Sequence, residues 1–343
     1  MRLEQQLGIE LPLIQAPMAG AQDAALTIAV SQAGGLGSLP SAMLTPQQLR
    51  AELSVIRAAT DKPFNVNFFA HTSHPDQARE QHWRQVLRPY YQAFDLDPDK
   101  ISASASRSPF NHAMADVIDE FKPAVVSFHF GLPNTELLAR VRRAGCQIFS
   151  SATTVAEAVW LEAQGVDGII AQGVEAGGHR GFFLDRDLST QMNTSALVTQ
   201  TLAATQLPVI AAGGIADHAG IRTALSMGAA GVQLGTVFML CDESRISDIH
   251  RRALLDVHAS TALTNIFSGG PARGIVNRVM RELGPMTDKA PAFPFAGTAM
   301  APLRQAAEKQ GLGDFSPLWS GQNRHGCRAV GAARLIEELF ASR

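Results

Sequence analysis

The strongest constraint on this chain is a repeated alternation. A short apolar run gives way to a glycine or polar break, and then to an amphipathic stretch of helical period. Apolar runs at 11–18 (LPLIQAPM), 35–40 (GLGSLP), 64–69 (FNVNFF), 124–130 (AVVSFHF), 147–152 (QIFSSA), 167–173 (DGIIAQG), 208–214 (PVIAAGG) and 231–239 (GVQLGTVFM) read as strands. Helical patterns at 24–34, 45–60, 134–145, 154–165, 194–205 and 217–229 lie between or after them. Local chemistry bounds these helices: Thr45 precedes Pro46, Asn134 and Asp217 occupy cap positions, and Gly145 is a stop. Strands joined through helices pair in parallel. Eight βα units within 1–240 are the number that closes a (β/α)8, or TIM, barrel. The α/β alternative is an open doubly wound sheet, whose first strand ordinarily runs into GxGxxG. Here the first strand runs into APMAGAQ, so the barrel is the expected fold.

Two segments interrupt the pattern. Residues 71–110 are polar and read as an insertion after the third strand. Residues 241–316 read as a small, mainly helical subdomain that covers the substrate, and 317–343 as a C-terminal segment and helix returning to the barrel. The chain has 343 residues, 46% of them hydrophobic, enough for a large core. A net charge of −2 with scattered Lys and Arg argues against a nucleic-acid partner. Cys146, Cys241 and Cys327 are far apart and form no CxxC, against a disulfide framework or a thiolate metal site. The opening MRLEQQLGIE has no signal-peptide core, and no apolar run reaches membrane-spanning length. A cytoplasmic protein without a membrane partner is expected; the pattern specifies no oligomeric state.

In such a barrel the active site lies at the C-terminal ends of the strands. Those ends carry Met18, Asn67, His129, Gln172, Gly214, Gln233, Gly235 and Thr236. Asn67 and Gln172 stand in otherwise apolar strand ends, and buried amides need partners. The glycines of AAGGIAD and QLGT follow the seventh and eighth strands, where barrels bind phosphate. The sixth strand ends in QGVEAGGHRG, residues 172–181, which is either a flexible turn or a loop presenting His179. An imidazole there suits acid, base or hydrogen-bond chemistry. His129 is a second catalytic candidate or a satisfied inner-layer residue. Glu175 is a base, a loop anchor or a partner for an arginine such as Arg180. No HExxH or carboxylate cluster suggests a metal.

Taken together, PLIQAPMAG, FNVN, DGIIAQGVEAGGHRG, VIAAGGIAD, GAAGVQLGTVFM and PLWSGQ resemble the nitronate monooxygenase family, also known as 2-nitropropane dioxygenases. The resemblance runs over nearly the whole chain. It implies non-covalent FMN at the barrel mouth, lined by Met18, Asn67, Gln172, Gly177, Gly214, Gln233, Leu234, Gly235 and Thr236. Ser320 and Gln322 would reach it from the C-terminal segment, and His179 takes the catalytic position. The implied reaction is oxidation of an alkyl nitronate, such as propionate 3-nitronate, by O2 to a carbonyl compound and nitrite through a flavin semiquinone. Members resembling this chain tend to line the substrate site with tyrosines. This chain has only Tyr90 and Tyr91, both in the insertion, and offers Phe293 and Phe295 instead. An anionic substrate would want a cation, for which Arg273 and Arg304 are the candidates. The rivals are an NAD(P)H-dependent FMN reductase of an enoyl thioester or quinone on the same barrel, and a non-catalytic flavin- or phosphate-binding protein.

Overall fold

In chain order the strands are β1 (Leu13–Gln15), β2 (Gly37–Pro40), β3 (Phe64–Phe69), β4 (Val125–His129), β5 (Gln147–Ala152), β6 (Gly168–Gln172), β7 (Gly178–His179), β8 (Val209–Ala212), β9 (Gly231–Leu234), β10 (Thr261–Thr264) and β11 (Ala272–Ile275). They come from a computed structural model that describes residues 2–100 and 107–341; residues 101–106, within the expected insertion, and 1, 342 and 343 lie outside the described residues. Eight strands form one parallel sheet in the order β1-β9-β8-β6-β5-β4-β3-β2. A parallel bridge from Ile14 to Leu36 closes it, with the Gln15 amide donating to the Leu36 carbonyl at 2.9 Å. The result is the eight-stranded barrel that the alternation predicts.

Helix starts follow their caps. Thr45 accepts from the Gln48 amide at 3.2 Å, and the Gln48 side chain accepts from the Thr45 amide at 2.8 Å, a reciprocal pair ahead of helix Pro46–Ala59. Inside the barrel, Ile14, Phe149, Ile170 and Ile210 pack with Leu3 and Leu7 of the N-terminal helix Leu3–Leu7. That helix therefore plugs the end of the barrel remote from the site. Above this apolar layer lies a polar one. Asn65 donates to the Ser38 and Ser127 hydroxyls at 3.0 and 2.9 Å, and the Ser38 amide donates to Gln15 at 3.0 Å. These bonds partner the Asn65 amide nitrogen and the Gln15 oxygen beneath the cleft, while the buried Oδ1 of Asn65 has no partner among the described residues.

The eighth barrel strand is shorter than the sequence reading. It ends at Leu234, and Thr236–Leu240 turns into a 3-10 helix after Gly235. Residues 241–316 contain the helices Asp248–Leu255, Arg278–Leu283 and Ala296–Lys309, together with β10 and β11, which join β7 of the β6 loop in an antiparallel sheet, β10-β11-β7, that hydropathy did not reveal. The insertion joins this cover. Trp83, Leu87 and Tyr91 of helix Gln77–Ala93 pack with Ile266, Phe267, Met300 and Leu303 in one core. The C-terminal helix Ala332–Phe340 returns to the barrel through Leu335, Ile336 and Leu339.

Candidate active site

A cleft opens at the C-terminal ends of the barrel strands, beneath the cover. It brings together Met18, Asn67, His129, Gln172, Gly177 and His179 with Gly214, Gln233, Gly235, Thr236 and Ser320. Two expected cofactor residues stand elsewhere. Leu234 points into the hydrophobic core beyond the strand, because its neighbour Gln233 takes the inward position and strand side chains alternate. Gln322 is exposed, with its amide donating to the Glu175 carbonyl at 3.0 Å. Its neighbour Asn323 lines the cleft instead and donates to the Gly214 carbonyl at 3.0 Å.

The loop after β6 is a bonded structure. Gln172 donates to the His179 carbonyl and accepts from the Gly181 amide, both at 2.9 Å, so its carboxamide folds the loop back over its own strand. Arg180 is 1% exposed and donates to the carbonyls of Gln172 and Gly173, each at 2.6 Å, and to Gln191 at 3.0 Å. Burial and the nearby Arg273 pull its guanidinium down to about 10, with Glu157 and Glu175 opposing. Glu175 does not contact Arg180. It accepts from the Thr194 amide at 2.9 Å and hydroxyl at 2.8 Å, tying the loop to the start of helix Thr194–Ala204. Residues 178 and 179 then pair with Arg273 and Ala272 of β11.

His179 emerges from this frame into the cleft. Its Nε2 lies 2.8 Å from the Ser268 hydroxyl, and its ring stands 5.1 Å from Phe293 and 5.3 Å from Trp319. Burial pushes its imidazole well below the ordinary value, and Arg107, His129 and His71 add to the shift. It is therefore neutral at pH 7, with Nδ1 the ring nitrogen that has no partner among the described residues. His129 differs. Its Nε2 donates to the His179 carbonyl at 3.1 Å, so Nδ1 is unprotonated and accepts from Ser151 at 2.6 Å. Burial lowers it to about 4, against the raising effect of that carbonyl bond and with Arg180 lowering it further. With both nitrogens engaged, His129 holds the loop that carries His179.

Beside the β6 loop, at the neighbouring strands β8 and β9, the cleft is lined by backbone. The amides of Gly214 and Gly235 donate to no acceptor among the described residues. Gly214 has φ +71°, a conformation that favours glycine. The buried Oε1 of Gln233 also lacks a partner.

The cations expected for an anionic substrate are committed elsewhere. Arg273 donates to the Val174 carbonyl at 2.8 Å, and Arg304 pairs with Glu308 at 2.7 Å. Tyr91 donates to the Ala299 carbonyl at 2.6 Å within the cover, and Tyr90 packs on Phe315. Phe293 does reach the site, in a cluster with Phe69, His71, Phe130 and His179. The cation that lines the cleft is Arg107, with its Cζ 5.9 Å from the Phe293 ring centroid. Sequence reasoning passed over it because it sits in a polar segment with no motif around it.

Residues 1–342 match the family described as nitronate monooxygenase. The chain belongs to that family. It is 42% identical to a nitronate monooxygenase of Paraburkholderia phytofirmans, an alignment covering 97% of this chain and 92% of that protein. It is 41% identical to a nitronate monooxygenase of Pseudomonas aeruginosa, over 98% and 97% of the two chains. Its fold is similar to that of a nitroalkane oxidase from Streptomyces ansochromogenes, with a TM-score of 0.88 and 38% identity over 98% and 96% of the two chains. FabK from Thermotoga maritima aligns with a TM-score of 0.71 and 27% identity, over 98% and 94%. As a member of the nitronate monooxygenase family the chain is an enzyme of the oxidoreductase class. No helix among the described residues is long and apolar enough to cross a membrane.

Proposed function

We propose that this protein uses FMN to oxidise alkyl nitronates, propionate 3-nitronate among them, with O2 to a carbonyl compound and nitrite. The observation that carries the reading is a neutral, half-buried His179 held over a cleft that also offers backbone amides without partners among the described residues, at the ends of β8 and β9. The cleft fits FMN. Free amides at Gly214 and Gly235, with the Thr236 hydroxyl beside them, suit a phosphate in the two loops where barrels place one. Gln233 Oε1 is a buried acceptor without a donor, and the N–H groups of a flavin ring would supply one. Asn67 and Met18 line the same space.

When bound, FMN supplies the electron acceptor for the nitronate. The protein's own part is position and proton control. Ser268 fixes the Nε2 edge of His179, which leaves Nδ1 for the substrate. With the Ser268 hydroxyl donating to Nε2, Nδ1 carries the proton and donates to the nitronate oxygens. With the hydroxyl turned toward the Gly270 carbonyl, 3.3 Å away, Nε2 carries the proton and Nδ1 accepts the α-proton of a neutral nitroalkane. A neutral imidazole permits either state; an imidazolium permits only the first. Phe69, Phe130, Phe293 and Trp319 pack around the ring, which lowers its contact with water.

The test begins with the visible spectrum of the purified protein, followed by nitrite release and O2 uptake with propionate 3-nitronate. A yellow protein that releases nitrite, and whose His179→Ala variant loses about 100-fold or more in kcat, is expected. A protein that neither carries nor takes up FMN would overturn the reading. So would anaerobic bleaching by NADH but not by a nitronate, the outcome a flavin reductase would give.

A further inference from the structure

Arg107 occupies an unusual place. Among the described residues it is the one Arg or Lys lining the cleft, and no Asp or Glu lines it. It makes no ion pair or side-chain hydrogen bond with another described residue. Its chain segment is anchored over the ends of β2 and β3: the Ser108 amide donates to the Ala42 carbonyl at 3.4 Å, and the Phe110 amide to the Phe69 carbonyl at 2.8 Å. In the closed sheet β3 lies four strands from β8 in either direction, so it is diametrically opposite the first of the two glycine loops. The phosphate wall and Arg107 therefore serve different ends of the space.

Arg107 shares one ring with the reacting histidine. Phe293 has the Arg107 guanidinium 5.9 Å from its centroid, within cation–π range, and the rings of His179 at 5.1 Å and His71 at 4.9 Å. His71 has a buried Nδ1 without a hydrogen-bond partner among the described residues. An unpaired cation beside an unpaired imidazole nitrogen is a costly arrangement until an anion arrives.

We propose that Arg107, with His71 beside it, binds a carboxylate at the far end of the substrate, making this enzyme selective for nitronates that carry a second negative charge a few atoms from the nitronate group. The inference rests on the nitronate reading above and adds a specificity-determining residue to it. Planar, forked guanidinium donors suit a carboxylate. Phe293 holds the guanidinium at the same rim as His179, so a carboxylate on Arg107 would leave a short chain reaching toward the imidazole. The tyrosine hydroxyls expected at the rim are replaced by phenyl rings, which concentrates anion recognition on the one cation.

The test compares wild type with Arg107→Gln and Arg107→Lys. The first readout is the ratio of kcat/KM for propionate 3-nitronate to that for propyl-1-nitronate, which has the same chain length but no carboxylate. The ratio should fall about 30-fold in Arg107→Gln, mostly through KM, and recover in part with lysine. A ratio within about threefold of wild type would overturn the proposal, whatever happens to the absolute rates. The second readout needs no turnover. Succinate replaces the nitronate group by a carboxylate, and its binding is followed by tryptophan fluorescence alongside the uncharged butanamide. Weakening of succinate by about 30-fold relative to butanamide in Arg107→Gln supports the assignment even if no nitronate is oxidised, which would instead remove the functional reading. Loss of FMN from Arg107→Gln, with both ligands weakened equally, would reassign Arg107 to the cofactor phosphate and overturn the proposal.

Discussion

Two sides of one cleft are built on opposite principles. On the β6 side, polar groups are tied together: Gln172 bonds to the loop it precedes, Arg180 caps two carbonyls, Glu175 holds a helix start, and both nitrogens of His129 are used. On the β3 side, Arg107 lines the cleft and His71 stands behind it against Phe293, neither with a side-chain hydrogen-bond partner among the described residues. The first side spends its hydrogen bonds on itself and so fixes a reacting group. The second leaves its bonding capacity open for something that comes and goes. Catalytic groups need geometry held to a fraction of an ångström, while recognition groups need unmet demand.

The largest effect is expected where the bonded side is tightest. A Cβ on Gly177 would fall 2.5 Å from the Gly321 amide nitrogen and 2.6 Å from the Ser320 carbonyl carbon. Both are backbone, so no side chain can swing clear. Gly177→Ala should cut nitrite release by about 100-fold or more and weaken FMN retention, while far-UV circular dichroism stays close to wild type. Comparable turnover in the variant would show that the loop gives way, and the contrast between the two sides would fail. Arg180→Met comes next. It removes the donors from two buried carbonyls and from Gln191 without opening a large void. A loss of about 3 kcal/mol in urea unfolding is expected. A loss below about 1 kcal/mol would mean that the desolvation of this cation had already offset its hydrogen bonds.

The bonded side was also the more legible one in the sequence. Strand ends, caps and the glycine-flanked histidine obey local rules, so the barrel and His179 could be read from spacing alone. The errors lie where a rule needs one more piece of information. The sequence reading includes Leu234 alongside Gln233, and Gln322 where its neighbour Asn323 lines the cleft. Strand alternation could have excluded Leu234, since Gln233 already faced inward, but nothing local sets the phase of the WSGQN segment. The β7, β10 and β11 strands are two to four residues long, too short for a hydropathy period, and exist because the late segment pairs with the histidine loop. Arg107 carries no motif because its role depends on what β3 and Phe293 bring near it across the chain. Unmet bonding demand is a property of the assembled cleft, which is why the recognition side stayed hidden while the catalytic side did not.

Acid offers the finest discrimination between the two sides, because each contains an imidazole held at about 4. His129 is lowered chiefly by burial, as is His71, with Arg107 lowering His71 further. Both are neutral in the folded protein and ordinary, near 6.5, when it unfolds. The unfolded chain therefore binds more protons between those values. The stability associated with each neutral ring is fully present above about pH 6.5 and drains away as pH falls toward 4. The two substitutions should part company. His129→Phe removes a donor from the His179 carbonyl and an acceptor from Ser151, so it should destabilise at about pH 7 as well as at about pH 5. His71→Phe breaks no hydrogen bond among the described residues and relieves a buried nitrogen without a partner. Its urea midpoint should match or slightly exceed wild type at about pH 7 and exceed it by more at about pH 5, because one acid-sensitive ring is gone. Equal losses from both substitutions at neutral pH would mean that His71 is as structurally committed as His129, and that the open side of the cleft is less open than its missing bonds indicate.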